Sequence, residues 1–165
     1  MEMDERLSRA EILQRLDREH NRLVATVAEL TPAQMIEAGA LGTWSVKDIL
    51  AHLVHWTRFP THEIKAALAG RQFDYDARHE DEINAGSVAH YRDRSPAEVL
   101  VDFERAYDQV LVTVQSLPER AFEPDNELER ILGDSVAGVL NNNTYDHYAL
   151  HEGHIRAWIR QNSQR

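Results

Sequence analysis

Cysteine is absent from the chain, which excludes disulfide bonds, thiolate metal ligands and a cysteine nucleophile. Long apolar runs are missing as well, and none approaches the roughly 20 residues that a membrane-spanning helix needs. The first residues, Met1–Arg6, contain no apolar core of the kind that a signal peptide requires. These absences make the cytoplasm the expected location and argue against a membrane partner.

Positive charge is scarce in this sequence. The 165 residues include 18 lysines and arginines against 28 aspartates and glutamates, which gives a formal net charge of −10. No cluster of basic residues reverses this balance locally, so the surface should repel a phosphate backbone, and nucleic acid is not expected as a partner. The hydrophobic content of 42% is ordinary for a soluble globular protein, and the chain, residues 1–165, is predicted to form one domain.

Strand patterns are also lacking, and the apolar residues recur in helical steps of three and four. Four long amphipathic helices are predicted, and their starts carry capping signals. The predicted starts are Ser8, Ser45, Ser95, and either Asp134 or Ser135. Four such helices without strands predict an all-α fold, an antiparallel four-helix bundle.

The predicted ends of these helices coincide with helix-breaking residues or with the end of the apolar pattern. The first helix runs to Leu30, the third ends at Pro118, and the fourth reaches about Ile159. Within the second helix, Pro60 removes one backbone hydrogen bond and is expected to kink or split it before the stop at Gly70.

The connections are predicted to be less regular than the long helices. A short turn of helix opens at Thr31, with Pro32 in its first position. Residues 71–94 are rich in charge, and a short helix is expected to begin near Asp81. The acidic stretch that ends at Gly133 is interpreted as a long loop.

Histidines occupy positions on the predicted fourth helix where the other helices carry apolar residues. His147 and His151 are four apart, so both imidazoles can reach one point in space. His52 lies on the second helix, and bundle metal sites are built from inward side chains on facing helices. Three imidazoles that leave coordination positions open are what a catalytic metal requires. The pattern therefore predicts a metal site formed by these three residues.

A purely structural interpretation of the same pattern stays open. Among nine histidines, a pair four apart often arises by chance, and a histidine on an apolar face is more often a hydrogen-bonded core residue. His55 and His154 each lie one turn from a proposed ligand, and each is interpreted as a ligand's hydrogen-bond partner or as a catalytic acid or base. The other four are interpreted as surface residues: His20, His62, His79 and His90.

Two segments resemble the signatures of DinB-like proteins. Residues 43–56 read TWSVKDILAHLVHW and are similar to the second-helix signature of that family. Residues 147–158 read HYALHEGHIRAW and are similar to the fourth-helix signature, in which two histidines four apart precede a segment ending in Ile-Arg-Ala-Trp or similar. The resemblance spans essentially the whole chain, including residues 92–95 before the third helix, and the motifs match in order and spacing.

The resemblance implies a four-helix bundle that holds a divalent metal through His52, His147 and His151. DinB-like proteins include transferases and isomerases that use the thiols bacillithiol or mycothiol. The usual oligomeric state of the family implies a homodimer. The chain also resembles a neighbouring ClbS/DfsB-like branch, which includes a self-resistance protein against a DNA-damaging metabolite. In that branch the three histidines are not always present. The family usually has glutamine or another residue at the position of His154, so this histidine could join the ligand set or serve as a proton shuttle.

Two functions are consistent with these patterns. The first is a metal-dependent enzyme, a hydrolase or thiol-dependent transferase with a small-molecule substrate, in which His55 or His154 is the general base. Three imidazoles favour zinc, nickel or copper over manganese by affinity, although metal availability can favour manganese. The second is a non-catalytic protein that sequesters a small apolar or electrophilic molecule in a pocket lined by Trp44, Trp56 and Tyr148.

Overall fold

The computed structural model describes residues 6–163, so residues 1–5, on which the signal-peptide expectation mainly rests, lie outside it. The fold is all-α, as predicted. In chain order the helices are α1 (Arg9–Val27), α2 (Pro32–Met35), α3 (Val46–Leu68), α4 (Glu80–His90), α5 (Pro96–Ser116), α6 (Glu127–Leu132), α7 (Val136–Asn141) and α8 (Tyr145–Asn162). Within the described residues, none of these helices combines the length and apolar character needed to cross a bilayer.

The long helices α1, α3, α5 and α8 form the predicted antiparallel bundle. Helix α1 packs against α8 and α5, and α3 packs against α5 and α8. All four bury apolar side chains at helical spacing, among them Ile12, Leu16, Leu23, Ile49, Leu53, Phe103, Val110, Tyr148 and Ile155. Burying one such side chain contributes about 1.5–3 kcal/mol. We therefore expect the core to stabilise the bundle without help from a bound ion.

The predicted helix starts at Ser8, Ser45 and Ser95 are confirmed. Each serine hydroxyl accepts a hydrogen bond from the backbone amide three residues later, and the carboxylate of that later residue accepts one from the serine amide. These reciprocal bonds satisfy amides that the first turn of a helix leaves without partners. The short helix α2 is capped in the same way by Thr31 and Gln34.

Pro60 does not split the second long helix. Helix α3 is continuous from Val46 to Leu68, and Pro60 is buried within it. A proline there removes one backbone hydrogen bond, but the turns on both sides of it are packed against other helices. The apolar face thus keeps one helix where the local sequence predicted an interruption. The predicted stop is confirmed, because Gly70 follows the helix with a φ of +71°.

The predicted fourth helix is in fact two helices, α7 and α8. Thr144 separates them with φ −130° and ψ −101°, which is not a helical conformation. Its buried hydroxyl donates to the Leu140 carbonyl at 2.7 Å. Three consecutive asparagines, residues 141–143, precede this break, and asparagine has a low helix propensity. The break determines where the histidine-bearing helix begins.

The stretch before Gly133 is not the long loop that its acidity predicted. It contains a 3₁₀ turn, Glu119–Phe122, followed by α6. The Asn126 side chain caps α6 by accepting from the Glu129 amide. In the other irregular region, helix α4 begins at Glu80, one residue before the predicted start near Asp81.

Lys47 attaches the α4–α5 connection to the bundle. Its ammonium donates to the carbonyl oxygens of Tyr91, Arg92 and Arg94 at 3.1, 2.8 and 2.9 Å. A lysine ammonium has three donors, so this largely buried charge has a partner for each of them. The contact holds α4 beside α3, near the helix turn that carries His52.

Replacing Ser95 with alanine tests the start of α5. The Glu98 amide would lose its hydroxyl acceptor at 3.2 Å, and loss of such a cap costs about 1 kcal/mol. We expect the free energy of unfolding in urea to fall by that amount. Ser87→Ala, within α4, is the matched control and should have a smaller effect. An unchanged transition for Ser95→Ala would mean that this cap does not stabilise the helix.

Candidate metal centre

The structure brings His52, His147 and His151 together between α3 and α8. The Nε2 atom of His147 lies 2.9 Å from that of His52 and 3.0 Å from that of His151. One ring nitrogen from each residue lies within 4.8 Å of the others. Three histidines in this arrangement could hold a metal ion.

Hydrogen bonds between the rings cannot satisfy both short contacts of His147, whereas a cation bound by all three rings can. A neutral imidazole nitrogen carries either one proton or one lone pair, so His147 Nε2 cannot form good hydrogen bonds with both of its neighbours. A cation would accept the lone pairs of all three nitrogens together. Imidazole nitrogens bind zinc at about 2.0–2.1 Å, and two such bonds at angles from 90° to tetrahedral separate the nitrogens by about 2.8–3.4 Å. The two short separations lie at the lower edge of that range.

Burial keeps the three clustered imidazoles neutral. His52 and His151 are buried and His147 is half-buried. Removal from water lowers the pKa of His52 and of His147 to about 4 and that of His151 to about 2, and neighbouring imidazoles add to the lowering. Neutral imidazole is the form that binds metals. The cluster therefore presents ligands in the required protonation state at neutral pH.

Two tryptophans and an asparagine surround His52. The ring centroids of Trp44 and Trp56 lie 5.2 and 6.3 Å from that of His52. The Trp56 indole N–H donates to Asn84 Oδ1 at 2.8 Å, and the nearby Asn84 side chain partly opposes the lowering of the His52 pKa by burial. Sequence reasoning missed Asn84, because no spacing rule connects a residue of α4 to a histidine of α3.

The two histidines predicted as acid or base occupy different positions. His154 Nδ1 lies 3.3 Å from His151 Nδ1, the ring nitrogen of His151 that is not turned toward His147. His55 is half-buried and packs edge-on against Trp56, with a centroid distance of 5.1 Å. It lines a neighbouring cavity rather than the three-histidine cluster. The catalytic roles of both residues stay predictions.

Three of the four histidines expected at the surface are exposed, namely His62, His79 and His90. Two other residues, His20 and Tyr148, lie deeper in the core than the sequence predicted. His20, by contrast, is buried, with its ring stacked on Tyr107 at 3.6 Å and its Nε2 3.1 Å from a Glu104 oxygen. Tyr148, expected to line a pocket, is fully buried, and its hydroxyl is hydrogen-bonded to Thr57 at 2.9 Å. Partners on other helices decide both placements.

Comparison with known proteins shows the family to which the chain belongs. The helical bundle is that of the DinB/YfiT-like superfamily, as the resemblance implied. Residues 16–130 match the family described as the mycothiol maleylpyruvate isomerase N-terminal domain. The match covers most of the chain, so the protein belongs to this family. Among curated proteins, none matches the chain by sequence.

Several solved structures share the fold over nearly the full length. The colibactin self-resistance protein ClbS, in complex with double-stranded DNA, has a TM-score of 0.77 and 14% identity, covering 91% of this chain and 94% of that one. The sibling lethal factor precursor DfsB has a TM-score of 0.80 and 17% identity, covering 94% and 96%. A Streptococcus pneumoniae protein has a TM-score of 0.81 and 13% identity, covering 93% and 91%. At these identities the likeness shows the fold alone.

The prediction that nucleic acid is excluded as a partner is contradicted by one of these structures. ClbS is in complex with double-stranded DNA, so this fold is compatible with a nucleic-acid partner. The prediction relied on net charge, which averages over the whole surface. Phosphate contacts are local, and they can also come from backbone amides and helix N-termini, which carry no formal charge. A net charge of −10 therefore does not exclude such a partner.

Replacing His147 with alanine tests the metal centre. The cluster would lose the nitrogen that lies closest to both others, while the apolar core would stay intact. We expect zinc uptake, measured by elemental analysis after dialysis, to fall from one ion per chain to none, with unchanged helicity by circular dichroism. His62→Ala, an exposed histidine on α3, is the matched control and should retain the ion. Equal zinc in the His147→Ala and unmutated proteins would refute this ligand assignment.

Proposed function

We propose that the protein is a metal-dependent enzyme that acts on a small molecule, by transfer of a low-molecular-weight thiol or by hydrolysis. The observation that carries the proposal is the meeting of three neutral imidazoles from α3 and α8, with Nε2 separations of 2.9 and 3.0 Å. The thiol is supported by membership of a family named for a mycothiol-dependent isomerase. Zinc and nickel are the favoured metals for three imidazoles, and manganese is the alternative.

The three clustered histidines would hold the ion. A bound divalent ion supplies a Lewis acid and lowers the pKa of a coordinated water or thiol. His52, His147 and His151 are uncharged ligands, so they leave the site with the full positive charge of the ion. That charge favours an anionic co-ligand, a hydroxide or a thiolate, over a neutral one.

His147 marks the side from which a substrate can approach. His147 is a half-buried residue, whereas His52 and His151 are buried, so solvent comes nearest to the cluster at His147. A catalytic metal site has to keep a position open for water or substrate. Access at His147 is consistent with such an open position.

His154 supports the orientation of His151. When His151 turns the lone pair of Nε2 toward the cluster, its proton lies on Nδ1 and can be donated to His154 Nδ1 at 3.3 Å. A hydrogen bond of this kind fixes the ring of a ligating histidine and raises its basicity. Of the two histidines proposed as the general base, His154 is the one in direct contact with the cluster, and His55 faces the neighbouring cavity.

A binding protein without turnover is the second candidate function. It is favoured by an aromatic-lined cavity of about 560 Å³ that lies beside His55. The metal content of the purified protein separates the two candidates. Stoichiometric zinc, nickel or manganese supports the enzyme, whereas a metal-free protein that retains a small molecule supports sequestration.

Cobalt substitution tests whether the metal position is open to an exogenous ligand. In the cobalt-loaded protein, we expect azide or 2-mercaptoethanol to alter the visible absorption spectrum. Thiol affinity should rise with pH until the thiol is ionised, because the positive site binds the thiolate. The His147→Ala protein, treated identically, is the control and should give no protein-bound cobalt spectrum. A spectrum indifferent to every added ligand would mean a closed, structural site, and the enzyme proposal would fail.

A further inference from the structure

We propose that the cavity between α3, α4 and residues 73–75 is a binding site for a small aromatic carboxylate. This site is separate from the three-histidine cluster and does not depend on a metal. The cavity has a volume of about 560 Å³, within the roughly 300–1,000 Å³ typical of small-molecule sites. It is therefore large enough to enclose a ligand of one or two fused rings.

One wall of the cavity is aromatic. The Phe59 ring meets the rings of Phe73 and Tyr75 at centroid distances of 5.2 and 4.8 Å, with interplanar angles of 89° and 75°. Phe73 and Tyr75 nevertheless remain 38% and 37% exposed. Edge-to-face contacts are a favoured geometry between rings. A flat ring seated in the cavity would extend this packing and cover aromatic surface that now contacts water.

The remaining wall carries basic groups. Arg58 of α3 lines the cavity together with His62 and His90. Among residues 6–163, Arg58 forms no ion pair with a carboxylate, in contrast to other arginines such as Arg78 and Arg94. Asp74 is the only carboxylate among the residues that line the cavity, and it forms no ion pair with Arg58. In a protein of net charge −10, an arginine left without an acidic partner at a cavity wall is notable.

A carboxylate matches this arrangement chemically. The guanidinium of arginine presents a planar fork of donors that binds a carboxylate through two parallel hydrogen bonds. Arg58 lies beside the hydroxyl of Tyr91, which donates to Asp102 at 3.0 Å. The guanidinium thus supplies charge on one wall while the rings on the other supply apolar contact. A ligand that combines a flat ring with a carboxylate satisfies both walls.

Trp56 separates this cavity from the metal centre. Its ring centroid lies 6.3 Å from that of His52 on one side, and 6.0 and 5.4 Å from those of Tyr75 and Phe59 on the other. The indole is buried, and its N–H is held by Asn84. Binding in the cavity should therefore leave the histidine cluster in place. It should also change the fluorescence of Trp56, whose ring packs against two of the lining rings, Phe59 and Tyr75.

The test uses 1-naphthoate and its uncharged analogue 1-naphthamide with the full-length, metal-free protein. Isothermal titration should show one saturable site for naphthoate and at least tenfold weaker binding of naphthamide. Arg58→Gln should weaken naphthoate binding at least tenfold and change naphthamide binding less than twofold. Arg160→Gln, an exposed arginine of α8, is the matched control and should leave both affinities unchanged. Tryptophan fluorescence should follow the same saturation curve.

Three further variants test the cavity independently of Arg58→Gln. Arg58→Lys should restore part of the naphthoate affinity, and Phe73→Ala, at an exposed ring, should weaken both ligands; these variants replace Arg58→Gln if that protein unfolds. His147→Ala should leave naphthoate binding within twofold, so that failure of the metal proposal does not remove this site. Absence of saturable binding, equal affinity for the two ligands, or loss of binding in His147→Ala would overturn the proposal.

Discussion

Glu152 is a carboxylate buried between α1 and α8, and a buried charge is tolerated only when it is paired and hydrogen-bonded. It accepts hydrogen bonds from Thr26 of α1 at 2.8 Å and from Arg156 of α8 at 2.7 Å, and Arg22 of α1 lies 3.3 Å from its second oxygen. Burial alone would raise the pKa of Glu152, but these partners outweigh it and hold the pKa below its usual value. They also fix the rotation of α8, so that the adjacent His151 faces α3.

The metal centre depends on how two separately anchored helices meet. Helix α8 is held against α1 by Glu152, and its start is set by the break at Thr144. Helix α3 contributes His52 and remains unbroken through Pro60 because of its packing. The three imidazoles are neutral because this arrangement removes them from water. Ligand geometry and ligand protonation are thus two consequences of one packing arrangement.

Sequence patterns predicted the local features of this protein well. The serine caps of α1, α3 and α5 were recognisable because the capping serine and its carboxylate are only three residues apart. The pairing of His147 with His151 was recognisable because four residues bring side chains onto one helix face. The division between α7 and α8 was missed because apolar periodicity continues across it. The burial of His20 was missed because its partner Tyr107 lies on another helix.

The helical class, the main helix starts and the two histidines that share a face could be predicted from the sequence, because each depends on residues within one or two turns of helix. Helix packing was needed to show that His52 meets them, that His154 contacts His151, and that Trp56 lies between the cluster and a cavity. These relations join residues of different helices. Their geometry depends on how the helices pack, through contacts such as the buried carboxylate between α1 and α8, which no spacing within one helix encodes.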